Sequence, residues 1–375
     1  MKILFTGGGS GGHFYPIISV AQEIAALSKE NRLVTPQLFF MAPTPYNAGV
    51  LFDNNIIYKK NYAGKLRIYF SILNFFDFFK TGWGIFTSLL DVFTIYPDVV
   101  FAKGGYASFP VLFAARFLRI PVIIHESDAV PGRVNLWAGK FATRIAVSYE
   151  EAAKFFPADR VAVTGNPIRR ELSEPLKEGA HEFLKLSTTI PTILVMGGSL
   201  GAQIINDSVI DALPELLKRF QIIHQTGKDN FEYVATRTDS VLSNNPAAVR
   251  YKPFGYLNVL AMRMAAGAAD IIISRAGSSI FEIATWGVPS IIIPITDSNG
   301  DHQRKNAYAY ARNKACSVIE ESNLTSHILA SEVSRIFDDR KTYESMKEGA
   351  KAFVKPDAAR AIAKEILSIA LKHEM

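Results

Sequence analysis

Two glycine-rich loops, each directly after a short apolar run, carry the residue types that best suit phosphate chemistry. The first spans residues 7–12 (GGGSGG) and the second spans residues 197–202 (GGSLGA). Glycine lets the backbone approach a ligand closely, and the next helix offers free N–H groups, so such loops are typical of diphosphate sites. A tight turn without a ligand is the alternative for the first loop. Two such loops suit a reaction with a diphosphate on each substrate, because an enzyme that binds a single nucleotide would need only one.

His13 follows the first loop directly, where the next helix would begin. A helix N-terminus disfavours the imidazolium form, so we expect a neutral ring at pH 7, as a general base requires. A histidine that only caps the helix is the alternative. A dinucleotide site would also need an acidic residue at the end of the second strand, and residues 37–47 contain none.

A third phosphate-friendly turn follows the apolar run at 270–274. Ser278 and Ser279 lie in it, and Glu282 lies about one helical turn further on, where a carboxylate can accept from both hydroxyls of a ribose. A glutamate favoured only by the helix dipole is the alternative. Asp301 and Gln303, in a polar segment after the next apolar run, can hydrogen-bond several hydroxyls of one sugar. A segment that only caps a helix is the alternative, but it would need only one such residue.

The elements that must position these residues follow a pattern of strand, glycine turn and helix, which starts twice, about 190 residues apart. Continuous apolar runs without alternation are typical of strands covered on both faces of a parallel sheet. We therefore predict two doubly wound α/β domains with ligands beyond the carboxyl ends of the strands. The predicted strands are 2–6, 37–42, 98–103, 121–126, 144–148, 192–196, 221–225, 248–252, 270–274, 289–293 and 316–320.

Length and composition agree with this organisation. A chain of 375 residues with 49% hydrophobic and 20% charged residues is globular and long enough for two domains. The single cysteine, Cys316, excludes an internal disulfide. We place the N-terminal domain at 1–166 and the C-terminal domain at 167–355. A last helix, 356–375, either completes the second domain or crosses back to the first.

Basic charge is concentrated in the N-terminal half. Residues 1–166 carry 16 Lys and Arg against 11 Asp and Glu, which favours an anionic surface or substrate. No nucleic-acid motif accompanies this charge. Residues 66–80 predict a helix that is apolar nearly all round, as in a segment resting on an anionic membrane. Its basic flank consists of Lys59, Lys60, Lys65, Arg67 and Lys80. An aromatic-rich core helix is the alternative.

Seven motifs, in order along nearly the whole chain, resemble the MurG family of peptidoglycan glycosyltransferases, which have the GT-B fold of two Rossmann-like domains facing a central cleft. The motifs are TGGGSGGHFYP (6–16), PDVVFAKGGYASFP (97–110), PVIIHESDAVPGRVN (121–135), TGNPIR (164–169), VMGGSLGA (195–202), SRAGSSIFE (274–282) and DHQRKNA (301–307). Each motif is modest alone, and together they are specific.

The resemblance implies an inverting transfer of GlcNAc from UDP-GlcNAc to the C4 hydroxyl of MurNAc in lipid I, undecaprenyl-diphospho-MurNAc-pentapeptide, which gives lipid II for peptidoglycan synthesis. It implies His13 and Glu126 as catalytic residues. The implied UDP-GlcNAc ligands are Ser10, Gly11, Gly12, Asp128, Arg169, Ser199, Leu257, Ser278, Ser279, Glu282 and Gln303. The implied acceptor ligands are Gly104, Gly105, Tyr106, His125 and Asn135.

Two departures from the family pattern concern the donor. Asp128 stands where the family commonly has Asn, and the turn from Arg275 to Glu282 is one residue shorter. The resemblance implies lipid I, UDP-GlcNAc, an anionic membrane surface and other cell-wall synthesis proteins as partners, and no nucleic acid. We expect a peripheral enzyme on the cytoplasmic side of the plasma membrane, without cofactor or protein-ligated metal, where Mg²⁺ at most accompanies the diphosphates.

Three other functions remain open at this point. One is a different GT-B UDP-sugar transferase, acting on another lipid or a small acceptor. A second is a nucleotide-dependent binding protein or oxidoreductase, which NAD(H) absorbance or fluorescence would reveal. The third is a non-catalytic assembly partner, against which the presence of His13, Glu282 and Gln303 argues.

Overall fold

The computed structural model describes residues 1–64, 73–197, 201–296 and 298–374. The chain divides into two units, Met1–Arg169 with Lys355–Met375 and Arg170–Val354. The boundaries lie within a few residues of those drawn from the sequence. Each unit is built on its own parallel sheet.

Seven parallel strands form the sheet of the N-terminal unit. They are β1 Lys2–Thr6, β2 Gln37–Ala42, β3 Ile56–Lys60, β4 Val99–Ala102, β5 Val122–Glu126, β6 Arg144–Val147 and β7 Val161–Val163. The spatial order is β3-β2-β1-β4-β5-β6-β7. The direction of winding reverses between β1 and β4, and such a switch point opens a crevice at the carboxyl ends of these strands.

In the part of the chain that the structure describes, six α-helices precede the second unit. They are α1 Gly11–Glu30, α2 Ala48–Asp53, α3 Leu73–Ile95, α4 Phe109–Phe117, α5 Arg133–Ala138 and α6 Glu150–Ala153. Helix α1 begins at Gly11, so the last two glycines of the loop, Gly11 and Gly12, lie in its first turn. The short strands β3 and β7 were missed in the sequence, since their residues are largely exposed or half-buried.

The C-terminal unit repeats the design with six parallel strands. They are β8 Thr192–Met196, β9 Gln221–Gln225, β10 Tyr251–Phe254, β11 Ile271–Ser274, β12 Ser290–Ile292 and β13 Cys316–Val318, in the spatial order β10-β9-β8-β11-β12-β13. The prediction of two doubly wound Rossmann-like domains is confirmed. The strand predicted at 248–252 was set too early, because Pro246–Arg250 forms a 3₁₀ turn.

The α-helices of this unit lie before, between and after its strands along the chain. They are α7 Ala180–Phe183, α8 Gln203–Leu216, α9 Phe231–Leu242, α10 Val259–Ala268, α11 Ser279–Trp286, α12 His302–Arg312, α13 Ser326–Asp338 and α14 Arg340–Phe353. The last helix, α15 Ala358–Glu374, belongs to the N-terminal unit. Its Ile362, Ile366 and Leu367 are buried in one core with Ile17 and Ile24 of α1. Of the two alternatives for the last helix, the structure shows the return to the first domain.

Helix α3 has two unlike faces. Gly84, Ser88 and Val92 form the inner face, and Gly84 packs so closely that an added Cβ would lie 1.7 Å from the oxygen of Tyr62. The outer face carries Phe79, Trp83, Phe86, Leu90 and Phe93, each more than half exposed. The helix predicted at 66–80 therefore extends much further along the chain, and residues 66–72 lie outside the described residues. Within the described ranges, no helix has the length and apolar character needed to cross a bilayer.

Candidate active site

The first glycine loop holds His13 in a defined orientation. Ser10 is the N-cap of α1, and its backbone carbonyl oxygen accepts from the backbone N–H groups of His13 and Phe14 at 3.2 Å each. Ser10 Oγ also lies 3.0 Å from His13 Nδ1. One ring nitrogen, Nδ1, is thus tied to the loop.

The loop after β4 forms the neighbouring wall. Gly104 and Gly105 have φ of 80° and 77°, in the left-handed region that favours glycine. An added Cβ on Gly105 would lie 3.6 Å from His13 Nε2, so this nitrogen faces the backbone of the loop. Gly9 makes a similar approach to Tyr106. The structure therefore brings the predicted acceptor residue Gly105 beside the predicted base, and Tyr106 beside the same glycine loop.

Glu126 lies at the end of β5, and both oxygens of its carboxylate accept hydrogen bonds from the protein. The N–H of Asp128 donates to Oε1 at 3.0 Å, and the N–H of Gly132 and the Asn135 amide donate to Oε2 at 2.9 and 3.0 Å. Burial, with Asp128 nearby, raises the pKa of this carboxyl despite those hydrogen bonds. Glu126 and Asn135 thus fix the turn at 126–132, and we revise their predicted catalytic and acceptor-binding roles to positioning.

His125 is enclosed in the same way. Its side chain is fully buried, and Nε2 lies 3.0 Å from the oxygen of Gly165. A carbonyl only accepts, so Nε2 carries the hydrogen and Nδ1 accepts from Lys103 Nζ at 2.7 Å. Burial and Lys103 hold the pKa of His125 well below 6.5, which keeps the ring neutral. The prediction that His125 contacts an acceptor directly does not fit this placement.

Lys103 is a buried cation that the sequence analysis missed. It follows β4, is 1% exposed, and also donates to Asn166 Oδ1 at 3.2 Å. Burial lowers its pKa to about 8, although Glu126 and Asp128 oppose this. The signal for it in the sequence is a lone lysine at the end of the apolar run 98–103.

Arg169 lies against the first turns of α1, not in the C-terminal unit. Its guanidinium carbon is 4.2 Å from the centre of the Tyr15 ring, a cation–π distance. Tyr15 in turn packs edge-on against Tyr46, which approaches Gly11. This predicted diphosphate ligand therefore lies on the same helix start as His13.

The second glycine loop follows β8 at the switch point of its sheet. Ser199 lies outside the described residues, as do its two neighbours. Gly201 has φ of 76°, and an added Cβ would lie 2.2 Å from the oxygen of Thr226. The amide of Asn206 donates to the same oxygen at 3.0 Å. The end of this loop therefore requires glycine on both conformational and steric grounds.

Gly201→Ala is expected to weaken binding of the predicted ligand UDP by about tenfold or more, since strain at such a position costs about 1–3 kcal/mol. Isothermal titration calorimetry with UDP measures the effect. Gly179→Ala is the matched control, because Gly179 also has a positive φ, 71°, but open space around its Cβ position. Equal affinity of parent and Gly201→Ala would contradict the prediction.

The turn after β11 leads into α11. Ser278 is the N-cap of α11, and Ser279 Oγ lies 3.3 Å from Ser274 Oγ. An added Cβ on Gly277 would meet no atom within 4 Å, so this turn borders open space. Glu282 lies in the first turn of the same helix, half-buried. The three predicted donor residues are therefore neighbours around one helix start.

Gln303 lies in the first turn of α12. Its N–H donates to Ser298 Oγ at 3.2 Å, and its Oε1 accepts from the N–H of Ile295 at 3.2 Å. The side-chain NH₂ is then the part of the amide that is available as a donor. This arrangement joins α12 to the segment that follows β12.

Leu257 is an implied UDP-GlcNAc ligand, for which the resemblance implies a main-chain contact to the uracil base, and it is 3% exposed. Its N–H donates to Gln225 Oε1 at 3.1 Å. This N–H is therefore not available for a base, and a main-chain contact from this segment would come from a neighbour such as Tyr256, which is 46% exposed.

Two family models match the chain. The glycosyltransferase family 28 N-terminal domain matches residues 3–147, and the glycosyltransferase family 28 C-terminal domain matches residues 192–362. The first match covers the loop with His13, and the second covers the switch-point loops of the C-terminal sheet.

Similar proteins cover nearly the whole chain. A protein of Bacillus thuringiensis subsp. konkukian, named UDP-N-acetylglucosamine–N-acetylmuramyl-(pentapeptide) pyrophosphoryl-undecaprenol N-acetylglucosamine transferase 2, is 37% identical over 92% of this chain and 94% of its own length. A Pediococcus pentosaceus transferase of the same name, without the number, is 34% identical over 96% and 97%. The crystal structure of Acinetobacter baumannii MurG matches with a TM-score of 0.73 and 25% identity, over 98% of this chain and 99% of that one. The chain therefore belongs to glycosyltransferase family 28, in the family of undecaprenol-linked N-acetylmuramyl-pentapeptide N-acetylglucosamine transferases.

Proposed function

We propose that this protein transfers GlcNAc from UDP-GlcNAc to the C4 hydroxyl of MurNAc in undecaprenyl-diphospho-MurNAc-pentapeptide. The names of its relatives give this donor and acceptor. The observation that carries the proposal is the environment of His13, whose Nδ1 is tied to Ser10 Oγ at 3.0 Å while Nε2 faces the loop of Gly105.

In the proposed reaction His13 Nε2 takes the proton of the acceptor hydroxyl as that oxygen attacks C1 of GlcNAc and the bond from C1 to UDP breaks. Nε2 can accept only if Nδ1 carries the hydrogen and donates it to Ser10 Oγ. Backbone N–H groups at helix starts stabilise the charge that develops on UDP. One displacement on an α-linked donor gives a β-linked product.

The remaining site residues take proposed roles by position. Gly104, Gly105 and Tyr106, in the loop after β4, border the acceptor. The buried side chains that hold this loop and its neighbours in position are Lys103, His125, Glu126 and Asn135. Ser10, Gly11, Gly12, Arg169 and Ser199 serve the diphosphates. Asp128 approaches the donor sugar, Ser278, Ser279 and Glu282 serve the nucleoside and its phosphate, and the Gln303 NH₂ donates to the sugar. We propose no protein-ligated metal, with Mg²⁺ at most on the diphosphates.

The test is transfer of radiolabelled GlcNAc from UDP-GlcNAc to a short-chain analogue of the lipid I acceptor. Diacylglycerol as a second acceptor separates the main alternative, a GT-B enzyme acting on another lipid. Transfer to the muramyl acceptor alone supports the proposal. Binding of UDP without transfer to this acceptor would overturn it.

We also propose that the outer face of α3 rests on an anionic membrane on the cytoplasmic side. Five large apolar side chains lie at helical spacing on this face while the opposite face packs against the protein. Exposed Lys59, Lys60 and Lys80 lie nearby in the sequence, and each adds about 1 kcal/mol of attraction to anionic lipid. Lys65 and Arg67 of the predicted basic flank lie outside the described residues. An apolar face with basic neighbours is typical of interfacial helices.

Replacing Trp83, Phe86 and Leu90 together with asparagine is expected to weaken binding to vesicles of phosphatidylglycerol and phosphatidylethanolamine by about tenfold or more, because large apolar area leaves the interface. Cosedimentation measures the change. Phe52→Asn is the control, since Phe52 is 83% exposed but lies on α2. Transfer to a soluble short-chain acceptor should persist. Unchanged vesicle binding by the triple variant would assign α3 another role.

A further inference from the structure

An ion pair outside the predicted site residues joins the ends of three neighbouring strands, β11, β12 and β13. Arg275 follows β11 directly, and its guanidinium donates to the oxygen of Ile293 at 3.2 Å and to Glu321 Oε1 at 3.1 Å. The two charged side chains are only 12% and 15% exposed. Water therefore screens this pair less than an ordinary surface pair.

The second oxygen of Glu321 holds the segment that follows β12. The N–H of Thr296 donates to Oε2 at 2.8 Å, with Thr296 Oγ1 at 3.4 Å. Burial raises the pKa of the Glu321 carboxyl, but Arg275 and the Thr296 N–H outweigh burial, so the pKa lies below 4.5 and the group is ionised at neutral pH. The backbone N–H of Thr296 therefore donates to an ionised carboxylate that is largely buried.

The same segment is held from its other side by a predicted sugar ligand. The N–H of Ile295 donates to Gln303 Oε1, one residue before the contact with Glu321. Residues 293–296 therefore lie between Glu321 and Gln303, and the position of either side chain affects the other. The bond to Ile295 also fixes which end of the Gln303 amide is presented to a ligand.

We propose that the Arg275–Glu321 pair is a positioning device for the sugar half of the donor: it fixes residues 293–296 and, through Ile295, the Gln303 amide that receives GlcNAc. This inference rests on the proposed function. Neither charge needs to touch the substrate. The effect is expected on recognition of the sugar, while the nucleotide is held by other residues.

The neighbouring Glu320 supplies a matched control. Its Oε1 accepts from Arg304 Nε at 2.9 Å and from the Tyr308 hydroxyl at 2.8 Å, and Arg304 is 55% exposed. Glu320→Gln and Glu321→Gln therefore remove the same charge from adjacent residues, but only Glu321 holds the segment after β12.

Isothermal titration calorimetry with UDP and with UDP-GlcNAc tests the proposal without an acceptor. We expect Glu321→Gln to weaken UDP-GlcNAc binding by about tenfold, the size of one charge-assisted hydrogen bond, and to leave UDP binding unchanged. Arg275→Gln should do the same, and the double variant should lose no more than either single one, because the two charges act as a unit. Glu320→Gln should match the parent with both ligands.

In the transfer assay the loss should appear in KM for UDP-GlcNAc with kcat retained. If Glu321→Gln weakened the binding of UDP and of UDP-GlcNAc equally, the pair would have a general role in folding and the proposal would be overturned. Unchanged affinity for both ligands would overturn it as well. A parent protein that binds no UDP-GlcNAc would overturn both the proposed function and this inference. A parent that transfers normally beside an unaffected Glu321→Gln would overturn the inference alone.

Discussion

Replacement of His13 with alanine is expected to lower kcat for GlcNAc transfer by about 10²- to 10⁴-fold, the contribution of a positioned general base. The ring lies at the start of α1 with Nδ1 3.0 Å from Ser10 Oγ. Alanine leaves the glycine loop and the N-terminal amides in place. The acceptor hydroxyl then loses only the group that takes its proton, so UDP binding should be retained.

Single-turnover transfer with the short-chain acceptor measures this loss, and calorimetry with UDP checks the donor side. His327→Ala is a suitable control, because His327 is exposed on α13 in the C-terminal unit. Ser10→Ala should fall between the parent and His13→Ala, since it removes the partner that fixes the tautomer. A kcat for His13→Ala within a few-fold of the parent would remove His13 from the chemistry.

Replacement of Lys103 with methionine is expected to change how stability depends on pH. In the folded protein the pKa of Lys103 falls from 10.5 to about 8, so between these values the unfolded chain binds more protons than the folded one. The free energy of unfolding of the parent should therefore rise relative to the variant as pH rises through this window, by on the order of 2–3 kcal/mol. Below pH 8 Lys103 is charged in both the folded and the unfolded chain, so the free energy of unfolding of the parent no longer changes with pH relative to that of the variant.

Urea unfolding followed by hydrogen exchange of peptides from β4 and β5 reports on this unit by itself, which matters because a two-unit chain need not unfold in one step. Lys154→Met is the control, since Lys154 is exposed and should show no such difference. A parent-minus-variant difference that stays flat from pH 8 to 10.5 would mean that Lys103 titrates as it does in the unfolded chain.

The regular parts of both sheets could be predicted because their signal is local. Runs such as TILVM and QIIHQ have a continuous apolar centre, as is typical of a strand covered on both faces. Both strands form at the predicted residues and are buried along their whole length. The strand β10 was misplaced because it is an edge strand and contains Pro253, so its pattern is weaker. The sequence signal for the turn that precedes it is Pro246, directly after Asn245.

The supporting residues of the candidate site could not be predicted because they depend on which strands are neighbours. Lys103, His125 and Asn166 are far apart in sequence and meet only because β4 lies beside β5 and the chain returns after β7. The pair of Arg275 and Glu321 likewise requires the order β11-β12-β13. His13, in contrast, follows its loop directly, so its position relative to Ser10 was accessible from sequence.

The return of α15 to the first unit has a consequence for biosynthesis. The core around α1 is completed by Ile362, Ile366 and Leu367, and these residues leave the ribosome after the entire C-terminal unit. The domain that is translated first is therefore the last to close its core, which departs from the usual order in which domains fold as they emerge. Until then the nascent N-terminal half exposes apolar surface on α1, and during that interval chaperones have a site to bind.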